Sequence, residues 1–125
     1  MSYVKFETPE EVRKMAIELI SVAKDTGKVR KGINEVTKSI ERKAARLVVI
    51  AEDVSPPEIV MHVPGLCEEM GIPYIYVRTK KELGDAAGLK VGTSTIAVEN
   101  AGSGAELLQD IVKRLPKHDG KKGEK

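Results

Sequence analysis

Tryptophan is absent from this chain of 125 residues, phenylalanine occurs once and tyrosine three times. Proteins that hold single-stranded nucleic acid stack bases on aromatic platforms. So few rings argue against that mode. A single cysteine, Cys67, excludes an internal disulfide framework and a multi-thiolate zinc site. No stretch approaches the about 18 apolar residues of a membrane span, and Met1–Lys5 carries no apolar signal core. A soluble, cytoplasmic domain without a membrane partner is expected.

Catalytic signatures are equally scarce. There is no Gly-x-Ser-x-Gly elbow. Gly27 and Gly32 have P-loop spacing, but Ile33 stands where the lysine must be. Gly102-Ser103-Gly104 lacks the third glycine of a dinucleotide fingerprint, so turns and helix ends explain these glycines better. Cys67 and His62 are five apart on one expected helix and therefore on different faces. Without a second ligand or a base, both are expected to be packing residues. No cofactor and no metal are expected.

What is present is an ordinary folded composition, 41% hydrophobic and 32% charged. The length suits one domain, placed at residues 1–116, with a flexible Lys/Gly-rich tail at 117–125. Twenty-one Lys and Arg against 19 Asp and Glu leave a net charge of only +2. The distribution is less even. Lys28, Arg30, Lys31, Lys38, Arg42, Lys43 and Arg46 face only Glu35 and Glu41 within the stretch they span. Such a local patch attracts polyanions even on a nearly neutral protein, although a solvated helix face would look the same.

The pattern alternates helices and strands. Thr8-Pro9-Glu10-Glu11 predicts a capping box opening a helix that Gly27 stops. Lys28–Lys31 suits a brief strand. Asn34 is then expected to cap a second helix with Val36, Ile40 and Ala44 as its apolar stripe. Leu47–Ala51 reads as a strand covered on both faces. Pro57–Met70 predicts one helix ending at Gly71, and Pro73–Val77 a strand. Thr79-Lys80-Lys81-Glu82 opens a short helix, Thr93–Val98 is a strand, and Gly104–Leu115 the last helix. The class is α/β, with a sheet between helices.

Two sites compete for function. Glu52-Asp53 follows a buried strand, where α/β folds often place ligands. A small acidic-site enzyme or metal-dependent switch could use such a pair. The later strand ends offer Arg78-Thr79 and Glu99-Asn100, without the further aspartate that a phospho-acceptor needs. The other site is Lys31-Gly32-Ile33-Asn34-Glu35-Val36-Thr37-Lys38. Gly32 permits close approach of a partner, and a helix starting here leaves N–H groups facing outward. Asn34, Lys38 and Arg42 share one face. Lysine can donate to guanine O6 or N7, and asparagine can donate and accept. Glu35 can accept from the guanine donor edge, a role with no place in a pure phosphate patch. An ordinary capped helix with scattered charges fits the same letters.

Lys31–Arg42 as a whole resembles the signature of the kink-turn RNA-binding ribosomal protein family. Leu47–Asp53, Pro57–Pro64, Leu66–Glu69, Ile72–Tyr74 and Lys80–Gly88 are similar to the same family's core, so the likeness runs from Tyr3 to Leu115. It is nearest to the family's archaeal large-subunit branch. The resemblance implies a three-layer α-β-α sandwich with a mixed four-stranded sheet and no catalytic activity. It implies that Asn34, Glu35 and Lys38 read the guanines of tandem sheared G·A pairs, with Lys31, Gly32, Thr37 and Arg42 on the adjacent backbone. It implies a second contact in which Leu89, Lys90 and Val91, with Ile59 and Lys80 nearby, cover bulged nucleotides. Gly92-Thr93-Ser94, Arg78-Thr79 and Ser55 depart from the family's usual residues. The implied partners are large-subunit ribosomal RNA, box C/D and box H/ACA guide RNAs and the RNA of ribonuclease P. Other guide-RNP core proteins would join after the RNA is bound, and the free chain is expected to be monomeric.

Overall fold

Leu47–Ala51 is buried at every position, which in a strand requires cover on both faces. The computed structural model supplies that cover and describes residues 3–115. Four strands form one sheet: β1 (Lys28–Lys31), β2 (Leu47–Ala51), β3 (Tyr74–Val77) and β4 (Thr95–Asn100). Their order is β1-β4-β2-β3. β2 runs parallel to β3, and β4 is antiparallel to both β1 and β2, so the sheet is mixed. Helices α1 (Glu10–Thr26), α4 (Lys80–Ala86) and α5 (Ala105–Lys113) pack together, while α2 (Ile33–Glu41) packs with α3 (His62–Met70). The sheet lies between these two helical layers, as the α/β expectation required.

β3 is a lateral edge strand, yet all four of its residues are buried. An open edge exposes unpaired backbone groups and must be covered. Residues 3–8 cover it. The Tyr76 N–H donates to Thr8 Oγ1 at 3.1 Å. The Tyr76 hydroxyl donates to the Tyr3 carbonyl at 2.6 Å and accepts the Lys5 N–H at 3.0 Å. The Tyr3 hydroxyl in turn donates to the Ala51 carbonyl and accepts the Val54 N–H. Thr8 therefore does not cap α1, as its sequence context predicts. Its hydroxyl satisfies an edge-strand donor, and α1 begins at Glu10 with Pro9 in the capping position and no side-chain cap.

Other boundaries shift for local reasons. Asn34 is not the cap of α2: Gly32 occupies that place, with φ +89°, and Asn34 falls inside the first turn. Ala44 lies beyond the end of α2, although Val36 and Ile40 form its buried stripe as expected. The single helix expected over Pro57–Met70 is split into a 3₁₀ turn, Pro57–Ile59, and α3, which starts at His62. β4 begins and ends two residues later than its apolar pattern suggests. A 3₁₀ turn, Gly102–Gly104, takes the start of the expected last helix. Gly71 stops α3 in the left-handed conformation, as glycine favours. The tail 117–125, with His118, lies outside the described residues.

The sheet's register controls where function is possible. Lys31 pairs with Ile96, Ile50 with Thr95, and Ala51 with Val77. The C-terminal ends of β1, β2 and β3 therefore meet the N-terminal end of β4 at one edge of the sheet. The segments leading into α2 and α4 and the loop entering β4 all emerge there.

Candidate nucleic-acid interface

α2 is built as a presented helix. Val36 and Ile40 are fully buried one turn apart and press it onto the sheet, leaving Asn34, Glu35, Lys38 and Arg42 exposed on the other side. Lys31 is exposed at the end of β1, and Thr37 and Gly32 are half-buried. The Gly32 N–H donates to the Thr95 carbonyl at 3.1 Å, which ties the helix entrance to β4. Gly32 has φ +89° and ψ 155°, a region almost reserved for glycine. A Cβ built there would meet no atom within 4 Å, so backbone conformation alone demands glycine.

That separation gives a clean expectation. Gly32→Ala should destabilise the fold by about 1–3 kcal/mol through backbone strain, measurable by thermal denaturation. Because the open space around Cβ removes any steric clash, a null effect on melting would show that the chain re-enters α2 by another route.

Two neighbours of this face carry no functional signal in the sequence pattern. His62, expected to pack inside, is exposed at the start of α3 with Nε2 3.0 Å from Thr37 Oγ1. The helix it was assigned to breaks before it, so its side chain meets α2 on the surface rather than entering the core. Glu99, near the end of β4, is largely buried against α2 and accepts from Ser39 and Arg30. Arg30 belongs to the basic patch but carries no distinctive motif. Nothing in the letters around Glu99 marks it, because its placement depends on strand register.

The second cluster lies around α4. Lys80 is half-buried; its N–H donates to Asp53 Oδ1 at 2.8 Å and its carbonyl accepts the Thr93 N–H at 3.1 Å. Lys80, Lys90 and Val91 line one open depression of about 410 Å³ with Asp53, Lys81, Asp85 and Gly92. Val91 is 71% exposed, the most exposed large apolar side chain described. Gly84 lets the loop lie against α4: a Cβ there would stand 2.2 Å from the Val91 carbonyl oxygen. Leu89 is half-buried against the core, so of the expected apolar contacts it is the one turned inward. Ile59 is exposed in the 3₁₀ turn after β2. The structure thus unites Lys80 with Lys90 and Val91, and joins this cluster to α2 through the shared edge. Ile59 enters that edge from a separate connection.

The acid pair takes up structural duties. Arg13, itself buried, donates to Glu52 Oε2 at 3.0 Å, and Asp53 holds the first N–H of α4. Thr79 Oγ1 accepts the Glu82 N–H as the expected cap, while Glu82 accepts the N–H of Arg78. The two adjacent carboxylates serve different partners and do not converge on a common point.

All four aromatic residues, Tyr3, Phe6, Tyr74 and Tyr76, form one cluster at the β3 edge, with ring centroids 5.1–6.4 Å apart. None stands at α2. The face there offers hydrogen-bonding and charged groups, without a stacking platform.

Comparison with known proteins gives a family and a similar fold. Residues 15–108 match the family described as ribosomal protein L7Ae/L30e/S12e/Gadd45. The fold is similar to that of a Giardia lamblia 15.5kD RNA binding protein, with a TM-score of 0.84 and 29% sequence identity. That likeness covers 90% of this chain and 93% of the other.

Proposed function

This chain belongs to the ribosomal protein L7Ae/L30e/S12e/Gadd45 family, and from that premise we propose that it is an RNA-binding scaffold specific for the kink-turn and related kink-loops. The observation that carries the proposal is the outward face of α2. An amide, a carboxylate and an ammonium, Asn34, Glu35 and Lys38, stand exposed at a helix tip entered through Gly32. Lys38 donates to guanine O6 or N7, Asn34 donates and accepts, and Glu35 accepts from the guanine donor edge. Lys31, Thr37 and Arg42 hold the flanking backbone.

The chemistry explains why RNA shape must come first. A regular A-form helix keeps its major groove too deep and narrow for side chains. A bulge followed by sheared G·A pairs bends the duplex and opens that groove locally, so only the kinked RNA exposes the guanine edges to α2. The protein then binds one conformer and shifts the population toward it. Val91, Lys90 and Lys80 cover the bulged nucleotides from the α4 side of the same edge. The natural targets on this reading are large-subunit ribosomal RNA, box C/D and H/ACA guide RNAs and ribonuclease P RNA, with an archaeal L7Ae-type role. Partner proteins of the guide complexes supply any catalysis.

Titration at fixed salt tests the proposal, using a short duplex with a bulge and tandem G·A pairs. The control duplex replaces those pairs with Watson–Crick pairs. Preferential binding of the first, accompanied by bending, is the expected result. Equal and salt-sensitive binding to both would reduce the basic patch to a non-specific electrostatic footprint and overturn the kink-turn assignment.

A further inference from the structure

β1 and β4 do not pair in a regular ladder. Val29 faces Val98 while Lys28 faces Asn100, so Glu99 is an extra residue in β4, a β-bulge. Bulges re-aim a side chain out of strict alternation. Here the carboxylate comes to rest with 11% of its side chain exposed. A single oxygen, Oε2, accepts the Ser39 hydroxyl at 2.7 Å and the Arg30 Nε–H at 3.2 Å. Arg42 Nη2 lies 3.8 Å from the same atom. Arg30 then extends its other arm, with Nη1 3.9 Å from Glu35 Oε1.

One shielded carboxylate therefore joins β4, β1 and α2. It reaches the first turn of α2 through Arg30 and Glu35, the last turn through Ser39, and the capping residue just past the helix through Arg42. Glu35 and Arg42 are otherwise loosely held, with 61% and 54% of their side chains exposed. Exposed ion pairs at such distances order little by themselves. A largely shielded acceptor that one guanidinium hydrogen-bonds and a second approaches as an ion pair is stronger, because a charge-assisted bond gains where water is excluded. Burial acts to raise the Glu99 pKa, but the bonds from Ser39 and Arg30, with the nearby Arg30 and Lys28 charges, bring it below the ordinary value. The group stays ionised at neutral pH.

A negative charge behind an RNA-binding face is a liability unless it does something else. We infer that Glu99 is a positioning residue for RNA recognition, acting through Arg30 and Arg42 to set where the Glu35 carboxylate and the Arg42 guanidinium meet the RNA. The inference rests on the kink-turn reading above and names a determinant of its specificity.

Glu99→Gln separates this role from simple electrostatics, because the two predict opposite signs. The substitution makes the protein more positive, so electrostatics alone predicts tighter RNA binding. Loss of positioning predicts binding to the bulged G·A duplex weaker by roughly tenfold, with little change on the Watson–Crick control. Tighter or unchanged binding to the bulged duplex overturns the inference. A double-mutant cycle with Arg30→Gln adds a readout that a merely structural role would not move. Non-additive losses in affinity support the relay, and additive losses contradict it. Melting curves report whether each variant is folded at the assay temperature. If Glu99→Gln is not, the Arg30→Gln and Glu35→Gln cycle on the same RNA tests the same relay by the same criterion. Failure of the wild-type protein to distinguish the two duplexes sinks the kink-turn reading and this inference with it. Discrimination undiminished by Glu99→Gln sinks the inference alone.

Discussion

Lys38→Ala is expected to weaken binding to a bulged G·A duplex by about 1–3 kcal/mol, the value of a side chain that donates to a guanine edge. That corresponds to roughly tenfold for each 1.4 kcal/mol. Thermal stability should hardly change, since Lys38 projects into solvent from a helix whose buried stripe is Val36 and Ile40. The contrast with a distant lysine is informative. Lys113 lies on α5, lining the depression between that helix and the far end of β4, and Lys113→Ala should leave discrimination intact. Titration of both variants at one salt concentration makes the comparison. Equal losses for the two would mean that charge, and not base contact, carries the affinity. The competing acidic-site reading makes the reverse prediction, in which Asp53→Ala abolishes function and Lys38→Ala leaves RNA binding unchanged.

Tyr76→Ala should cost roughly 3–5 kcal/mol of folding stability, the range for emptying a large aromatic site in a core. Its ring packs against Phe6 and Tyr74 with centroids 5.1 and 5.9 Å away, and its hydroxyl bonds to both Tyr3 and Lys5. Tyr76→Phe isolates the second contribution. It leaves the ring but strands the Tyr3 carbonyl and the Lys5 N–H, for about 1–3 kcal/mol. Denaturant unfolding of the two variants gives both numbers. If Tyr76→Phe costs nothing, residues 3–8 are not held on the β3 edge by this hydroxyl.

The same site sets an alkaline limit. Burial raises the Tyr76 pKa above its ordinary value of 10.0 despite the Lys5 N–H bond, which lowers it. A group whose folded pKa is raised contributes stability that is complete below its unfolded pKa and disappears as pH rises through the folded value. Stability should therefore fall as pH climbs past about 10, and less steeply in Tyr76→Phe.

Local patterns carried most of the fold. The five consecutive apolar residues of β2 leave no polar face, so their burial on both sides follows directly from composition. Thr79 to Glu82 signals the start of α4, and Gly71 the end of α3, because a cap or a left-handed residue acts within a few positions. Local patterns failed where a distant partner claimed the side chain. Thr8 has a capping residue's chemistry, but an edge-strand N–H 68 residues away claims its oxygen. The sequence pattern predicts His62 within one continuous helix, whereas that helix breaks before it and the side chain turns out to Thr37.

The recognition face divides in the same way. Asn34, Glu35 and Lys38 are neighbours on one helix, so their common exposure follows from helical periodicity and from the burial of Val36 and Ile40. Their resemblance to a known motif needs only contiguous letters. The union of that face with Lys80, Lys90 and Val91 needs the strand order β1-β4-β2-β3, which brings four strand ends to one edge. Glu99 needs more still: a one-residue bulge in the β1–β4 register. Helical spacing is a property of the chain over a few residues and can be read from it. Strand order and register arise from long-range pairing, where shifting one strand by a single residue turns each of its side chains to the other face.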